Sequence, residues 1–102
     1  MPNRSYEAGV RFEHEVKDHY ENNGYIVVRA AGSHSYFDLV CIRRQDYIEH
    51  PVLLLQLKRY SGSPPKPPQE FKDLSISSSC LKVWVAKPKG EKYNPVVHNQ
   101  LV

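Results

Sequence analysis

Cysteine is scarce in this chain: Cys41 and Cys80 stand alone, in Val40-Cys41-Ile42 and Ser79-Cys80-Leu81. Two isolated cysteines exclude a disulfide-stapled scaffold and a cysteine-based zinc site, and read as buried thiols in a reducing, cytoplasmic setting. Long apolar runs are missing as well. The longest unbroken aliphatic stretch is Val52 to Leu55, far short of the roughly 20 residues of a membrane span. Residues 1–7 have no apolar core, so no signal peptide is expected. His14, His19 and His34 lack any zinc-ligand pairing, and no internal repeat is present.

What is present fits one soluble domain over 1–102, since 40% apolar and 25% charged residues are ordinary for a globular protein and this length leaves no room for a second core. The net charge of +3 is unevenly placed. Residues 1–51 carry six Lys/Arg against eight Asp/Glu, and residues 52–102 carry eight against three. Such a split is compatible with a basic surface facing a polyanion and acidic groups gathered elsewhere.

Residues 6–23 have the strongest helical pattern: Ala8, Phe12, Val16, His19, Tyr20 and Asn23 fall on one third of the circumference. Ser5 is the expected cap, and Asn22-Asn23-Gly24 the stop. Strands are expected over 25–31, 36–43 and 52–60, with a turn at 32–35 and a polar connection at 45–50. Residues 61–68 hold four of the eight prolines and form a loop, either a plain linker or a semi-rigid flap beside a substrate. A helix over 69–79, a strand over 81–86, a turn at 88–90 and a last strand over 92–97 complete the order. The expected architecture is α-β-β-β-α-β-β, an α/β sandwich around a mixed sheet flanked by helices.

Two of these strands carry polar residues where burial without a partner is costly: Asp38 in Phe37-Asp38-Leu39-Val40, and Gln56 and Lys58 in Leu55-Gln56-Leu57-Lys58. Strand alternation puts Gln56 and Lys58 on one face and Leu57 and Arg59 on the other. An Asp beside an amide oxygen and a Lys on a neighbouring strand suits a metal site with a helper cation, which is phosphodiester chemistry. The plainer alternative is a set of strand-end residues reaching water.

The order of elements, with an acidic residue in helix one, Asp on strand two and x-Lys on strand three, resembles the PD-(D/E)XK nuclease superfamily. The nearest likeness is to the archaeal-type Holliday-junction resolvases. It rests on Gly9-Val10-Arg11-Phe12-Glu13, on Gly24-Tyr25-Ile26-Val27-Val28-Arg29-Ala30-Ala31-Gly32-Ser33, on Phe37-Asp38-Leu39-Val40, on Gln56-Leu57-Lys58, and on Val83 to Lys89 followed by Pro95-Val96. The resemblance covers nearly the whole chain.

It implies a restriction-endonuclease-like fold, a Mg²⁺-dependent endonuclease (Mn²⁺ as substitute), DNA with a four-way junction as substrate, a homodimer, and no membrane. It implies Glu13, Asp38 and Gln56 as metal ligands or their orienters and Lys58 as the cation beside the attacking water. Arg11, Arg29, Ser33, His34, Arg59 and Lys66 are the expected DNA contacts. Glu13 and Glu15 lie at opposite edges of the helix's apolar face, and the Gly9 spacing of the family favours Glu13. Gln56 departs from the family's Glu and lowers the site's negative charge, although its amide oxygen can coordinate. Gln56-Leu57-Lys58-Arg59-Tyr60 also resembles Mrr-like restriction endonuclease domains, which makes a duplex-nicking enzyme the rival reading. A non-catalytic nucleic-acid-binding domain of the same fold is the rival from another class.

Overall fold

The computed structural model describes residues 4–30, 36–44 and 51–102. Its first helix, α1 (Arg4–Asn22), buries Phe12, Val16 and Tyr20, one residue per turn along a single stripe. It stops where the sequence predicts. The Asn23 side-chain amide donates to the His19 carbonyl at 2.6 Å, and the Asn23 and Gly24 N–H groups bond to Tyr20 and Glu21. Gly24 turns the chain at φ +89°, a conformation that L side chains rarely adopt.

Five strands follow as one mixed sheet in chain order: β1 (Tyr25–Arg29), β2 (Leu39–Arg43), β3 (Val52–Tyr60), β4 (Cys80–Pro88) and β5 (Asn99–Leu101). All neighbours are antiparallel except β3 and β4. That parallel pair needs a crossover, supplied by residues 61–79 with the short helix α2 (Gln69–Asp73). Leu39, Cys41, Leu53, Leu55, Val83 and Val85 share the sheet face under α1 and form the core with it. On the other face Phe71 of α2 meets Phe37 and Trp84 edge-on or tilted, with centroids 5.8 and 6.1 Å apart. Further along that face Ile26, Val28 and Ile42 remain 40–48% exposed.

A polar network ties α1 to the C-terminal segment. Tyr93 donates its hydroxyl to Asn99, Asn99 donates its amide to the Tyr20 oxygen, and the Glu15 carboxylate accepts the Tyr93 N–H. Burial pushes the Tyr93 hydroxyl up to about 12 and the Cys41 thiol also up to about 12. Both cysteines are free, with Cys41 fully buried.

Several elements differ from the sequence-based expectation. β1 ends at Arg29 and β2 begins at Leu39, shorter than predicted, whereas β4 is longer at both ends. The helix expected over 69–79 is five residues long, because buried Lys82 sends its ammonium to the carbonyls of Phe71, Lys72 and Leu74 at 2.6–2.9 Å. Those carbonyls are the ones a helix leaves unpaired at its end. The strand expected over 92–97 is a helical turn, α3 (Pro95–His98), followed by β5. Asn94 caps it by accepting the Val96 N–H at 3.1 Å, and Pro95 sits at the first helical position, where its missing N–H costs nothing. Two lysines of the basic second half, Lys82 and Lys87, are buried on backbone carbonyls and add nothing to a basic surface. The turn at 32–35 and the connection at 45–50 lie outside the described residues, as does the side chain of Ser5.

Candidate active site

β2 pairs with β3 over Leu39–Ile42 and Val52–Leu55. Among the described residues no strand continues beside Gln56–Tyr60 on that side, and Asp38 stands where it would. The Asp38 N–H donates to the Leu55 carbonyl at 2.8 Å, and its Oδ2 accepts the Leu57 N–H at 2.8 Å. A half-buried carboxylate is thereby held against the open edge of β3 in place of the next ladder residue.

A cleft of about 290 Å³ opens at this edge, between α1 and the ends of β1 and β3. Gly9, Glu13, Arg29, Asp38, Lys58 and Arg59 line it. Helical spacing brings Tyr6, Gly9 or Val10, and Glu13 to one flank of α1, so the first two and a half turns form one wall. Lys58 and Arg59 project to opposite faces of a regular strand, yet both reach the cleft, which wraps around an edge that has no neighbouring strand. The expectation that Arg59 points away from the chemistry is corrected on this point.

Glu13 and Glu15 separate clearly. Glu13 lines the cleft with Asp38, whereas the Glu15 carboxylate is engaged by the Tyr93 N–H on the other flank of the helix. Arg29 Nε lies 2.8 Å from Glu13 Oε2 as an ion pair, but its N–H is not directed at the oxygen. Oε2 is therefore buried without a hydrogen bond, an acceptor that faces the Arg29 charge. Arg29, expected at DNA, is engaged with Glu13 and half-exposed.

Gln56 is half-buried and does not line this cleft; alternation places it on the sheet face away from α1, beside Trp84 of β4. Among the described residues no three His, Cys, Asp or Glu side chains are grouped to hold a metal ion. Two carboxylates of the cleft, Glu13 and Asp38, are hard oxygen donors, which is as many protein ligands as Mg²⁺ commonly takes beside its waters. Arg11 and Lys66 are exposed and line no part of the cleft; Ser33 and His34 lie outside the described residues. The proline segment is no wall of it either. Pro67 is buried, and Pro64 and Pro65 border a separate groove with Tyr60 and Trp84. Sequence reasoning passed over Tyr6 and the Leu57 N–H; the i, i+3, i+7 spacing of Tyr6, Gly9 and Glu13 was the available signal for the first.

Gly9 is in mid-helix, and a Cβ added there would meet no atom within 4 Å. Its conformation needs no glycine, so Gly9→Ala is expected to raise stability by about 0.5–1 kcal/mol, the usual helix-interior difference. A lower denaturation midpoint for Gly9→Ala would mean that the space beside Gly9 is needed by the fold. What the glycine contributes otherwise is clearance beside Asp38 and Lys58. No protein-family model and no curated protein matches this chain.

Proposed function

We propose that this protein is a Mg²⁺-dependent endonuclease of restriction-endonuclease-like fold that hydrolyses DNA phosphodiester bonds, and that it resolves four-way junctions as a homodimer. The supporting observation is that Glu13 of α1, Asp38 just before β2 and Lys58 of β3 line one cleft, with Arg29 and Arg59 beside them. Three cations and two carboxylates in one small cleft suit a phosphodiester whose negative charge grows as it is attacked.

Glu13 and Asp38 are the residues that would hold Mg²⁺, since both carboxylates line the cleft and the Leu57 N–H orients that of Asp38. Bound there, the ion supplies Lewis acidity at a phosphoryl oxygen and a more acidic water. Lys58 places its ammonium where charge develops on the phosphate and holds the water by hydrogen bonding. Arg29 keeps the Glu13 carboxylate turned into the cleft. Arg59 binds a phosphate oxygen.

The hydrogen bond from Leu57 to Asp38 also favours a second reading, a carboxylate that merely closes a strand edge in a DNA-binding domain without catalysis. Incubation with Mg²⁺ and labelled duplex, flap and four-way-junction DNAs of matched sequence separates the readings. Paired symmetric nicks in the junction alone are expected. Duplex cleavage would replace junction resolution with a duplex-nicking activity, and salt-sensitive binding without any cleavage would leave the non-catalytic reading.

Symmetric cutting goes with two sites related by a two-fold axis. Sedimentation equilibrium at micromolar concentration is expected to give a dimer with junction DNA, and a strict monomer with and without DNA would remove the resolvase reading. The uncharged exposed face of Ile26, Val28 and Ile42 is surface that a second copy would cover.

A further inference from the structure

On the other flank of α1 lies a second, larger cleft of about 490 Å³. Arg11, Glu15, Arg59, Lys87, Glu91 and Lys92 are among its lining residues. Four are cationic and two acidic, and both acidic side chains have a partner, although Glu91 stays exposed. Glu15 accepts the Tyr93 N–H at 3.1 Å, and Glu91 Oε2 lies 3.4 Å from the buried His98 ring. Lys87 is buried, its ammonium on the carbonyls of Pro88 and Glu91, and adds nothing to the cleft's surface charge. Arg11 and Lys92 are exposed. Without Lys87 the lining still holds three cations against two carboxylates, and two of the cations, Arg11 and Lys92, face solvent beside the exposed Glu91.

Arg59 lines this cleft and the Asp38 cleft alike. The two clefts thus adjoin at Arg59, on opposite flanks of α1. We propose that the second cleft is a phosphate seat for the DNA strand whose neighbouring phosphodiester occupies the Asp38 cleft. Arg11 and Lys92 bind the backbone there, and Arg59 spans the two positions. This assignment rests on the endonuclease reading and gives it a binding track: one small anion would fill one cleft, whereas two clefts joined at Arg59 match a polymer of phosphates. Contacts of this kind fix register and carry no base sequence.

Labelled duplex and junction DNA, titrated by anisotropy without divalent ions across a salt series, test the seat independently of cleavage. Each phosphate contact contributes about 0.9 to the slope of log affinity against log salt. Arg11→Ala/Lys92→Ala is expected to lower that slope by nearly 2 and to weaken binding at least about tenfold at low salt. Lys72→Ala, which removes an exposed cation on α2, is expected to leave both values unchanged. A double variant with the wild-type slope, or a wild-type protein that binds no DNA, would each overturn the seat. A reduced slope in a protein that cuts no DNA would uphold the seat and remove the endonuclease reading; cleavage with an unreduced slope would do the reverse.

Discussion

Asp38→Asn is expected to eliminate cleavage of every DNA substrate while leaving the fold almost untouched. The carboxylate has two tasks that this substitution separates. Its Oδ2 accepts the Leu57 N–H at the open edge of β3, and an asparagine oxygen can accept the same bond. Its charge is the part the proposed chemistry needs, and asparagine lacks it. Asp38→Ala removes both and leaves a half-buried N–H unpaired, costing about 1–3 kcal/mol of stability.

Both variants should lose at least about 10²-fold in single-turnover rate, the scale of a preorganised electrostatic contact. Both should still bind DNA, because affinity rests on phosphate contacts by Lys and Arg. Denaturant unfolding beside single-turnover cleavage is the measurement. Wild-type cutting by Asp38→Asn would reduce Asp38 to a strand-edge cap and end its assignment to the site.

The parts of this fold that sequence reasoning found are those with an unopposed local signal. α1 has its apolar stripe and its Asn-Asn-Gly stop, and β3 runs from Val52 to Tyr60 as expected because its aliphatic run sends Leu53 and Leu55 into the core under α1. The tail was misread because Tyr93, Val96 and Val97 look like a strand until Asn94 and Pro95 are weighed as a helix start. Lys82 and Lys87 were misread for a different reason. Each looks like a solvent-facing strand residue, and what holds them is backbone carbonyls that no strand pattern signals, from α2 for one and the 88–91 turn for the other.

The same limit applies at the candidate site. Motif spacing singled out Glu13, Asp38 and Lys58, which the fold brings to one cleft, and it also singled out Gln56, which the fold leaves on the far face of the sheet. β4 flanks Gln56, Lys58 and Arg59 in one regular ladder and β2 has ended beside all three, so alternation alone does not separate them. Lys58 and Arg59 both line the cleft at the open edge while Gln56 does not, and no pattern within β3 reveals where β2 stops.

Lys58 and Arg59 should consequently fail in different ways. Both line the Asp38 cleft, but Arg59 also lines the second one. An ammonium confined to the reacting phosphate matters most when charge develops there, so Lys58→Ala should slow single-turnover cleavage at saturating DNA by at least about 10²-fold. Its DNA affinity should fall little. A guanidinium between two phosphate positions contributes chiefly to binding, so Arg59→Ala should weaken DNA binding about tenfold and lower the salt slope by about 1. Once DNA is saturating, its cleavage rate should lie within a few-fold of wild type. Rates measured across a DNA concentration series separate the two roles. If saturation restores Lys58→Ala, the lysine is a binding residue and the charge at the reacting phosphate must come from elsewhere. If saturation leaves Arg59→Ala as slow as Lys58→Ala, both cations act on the reacting phosphate, and the second cleft loses the residue that joins it to the first.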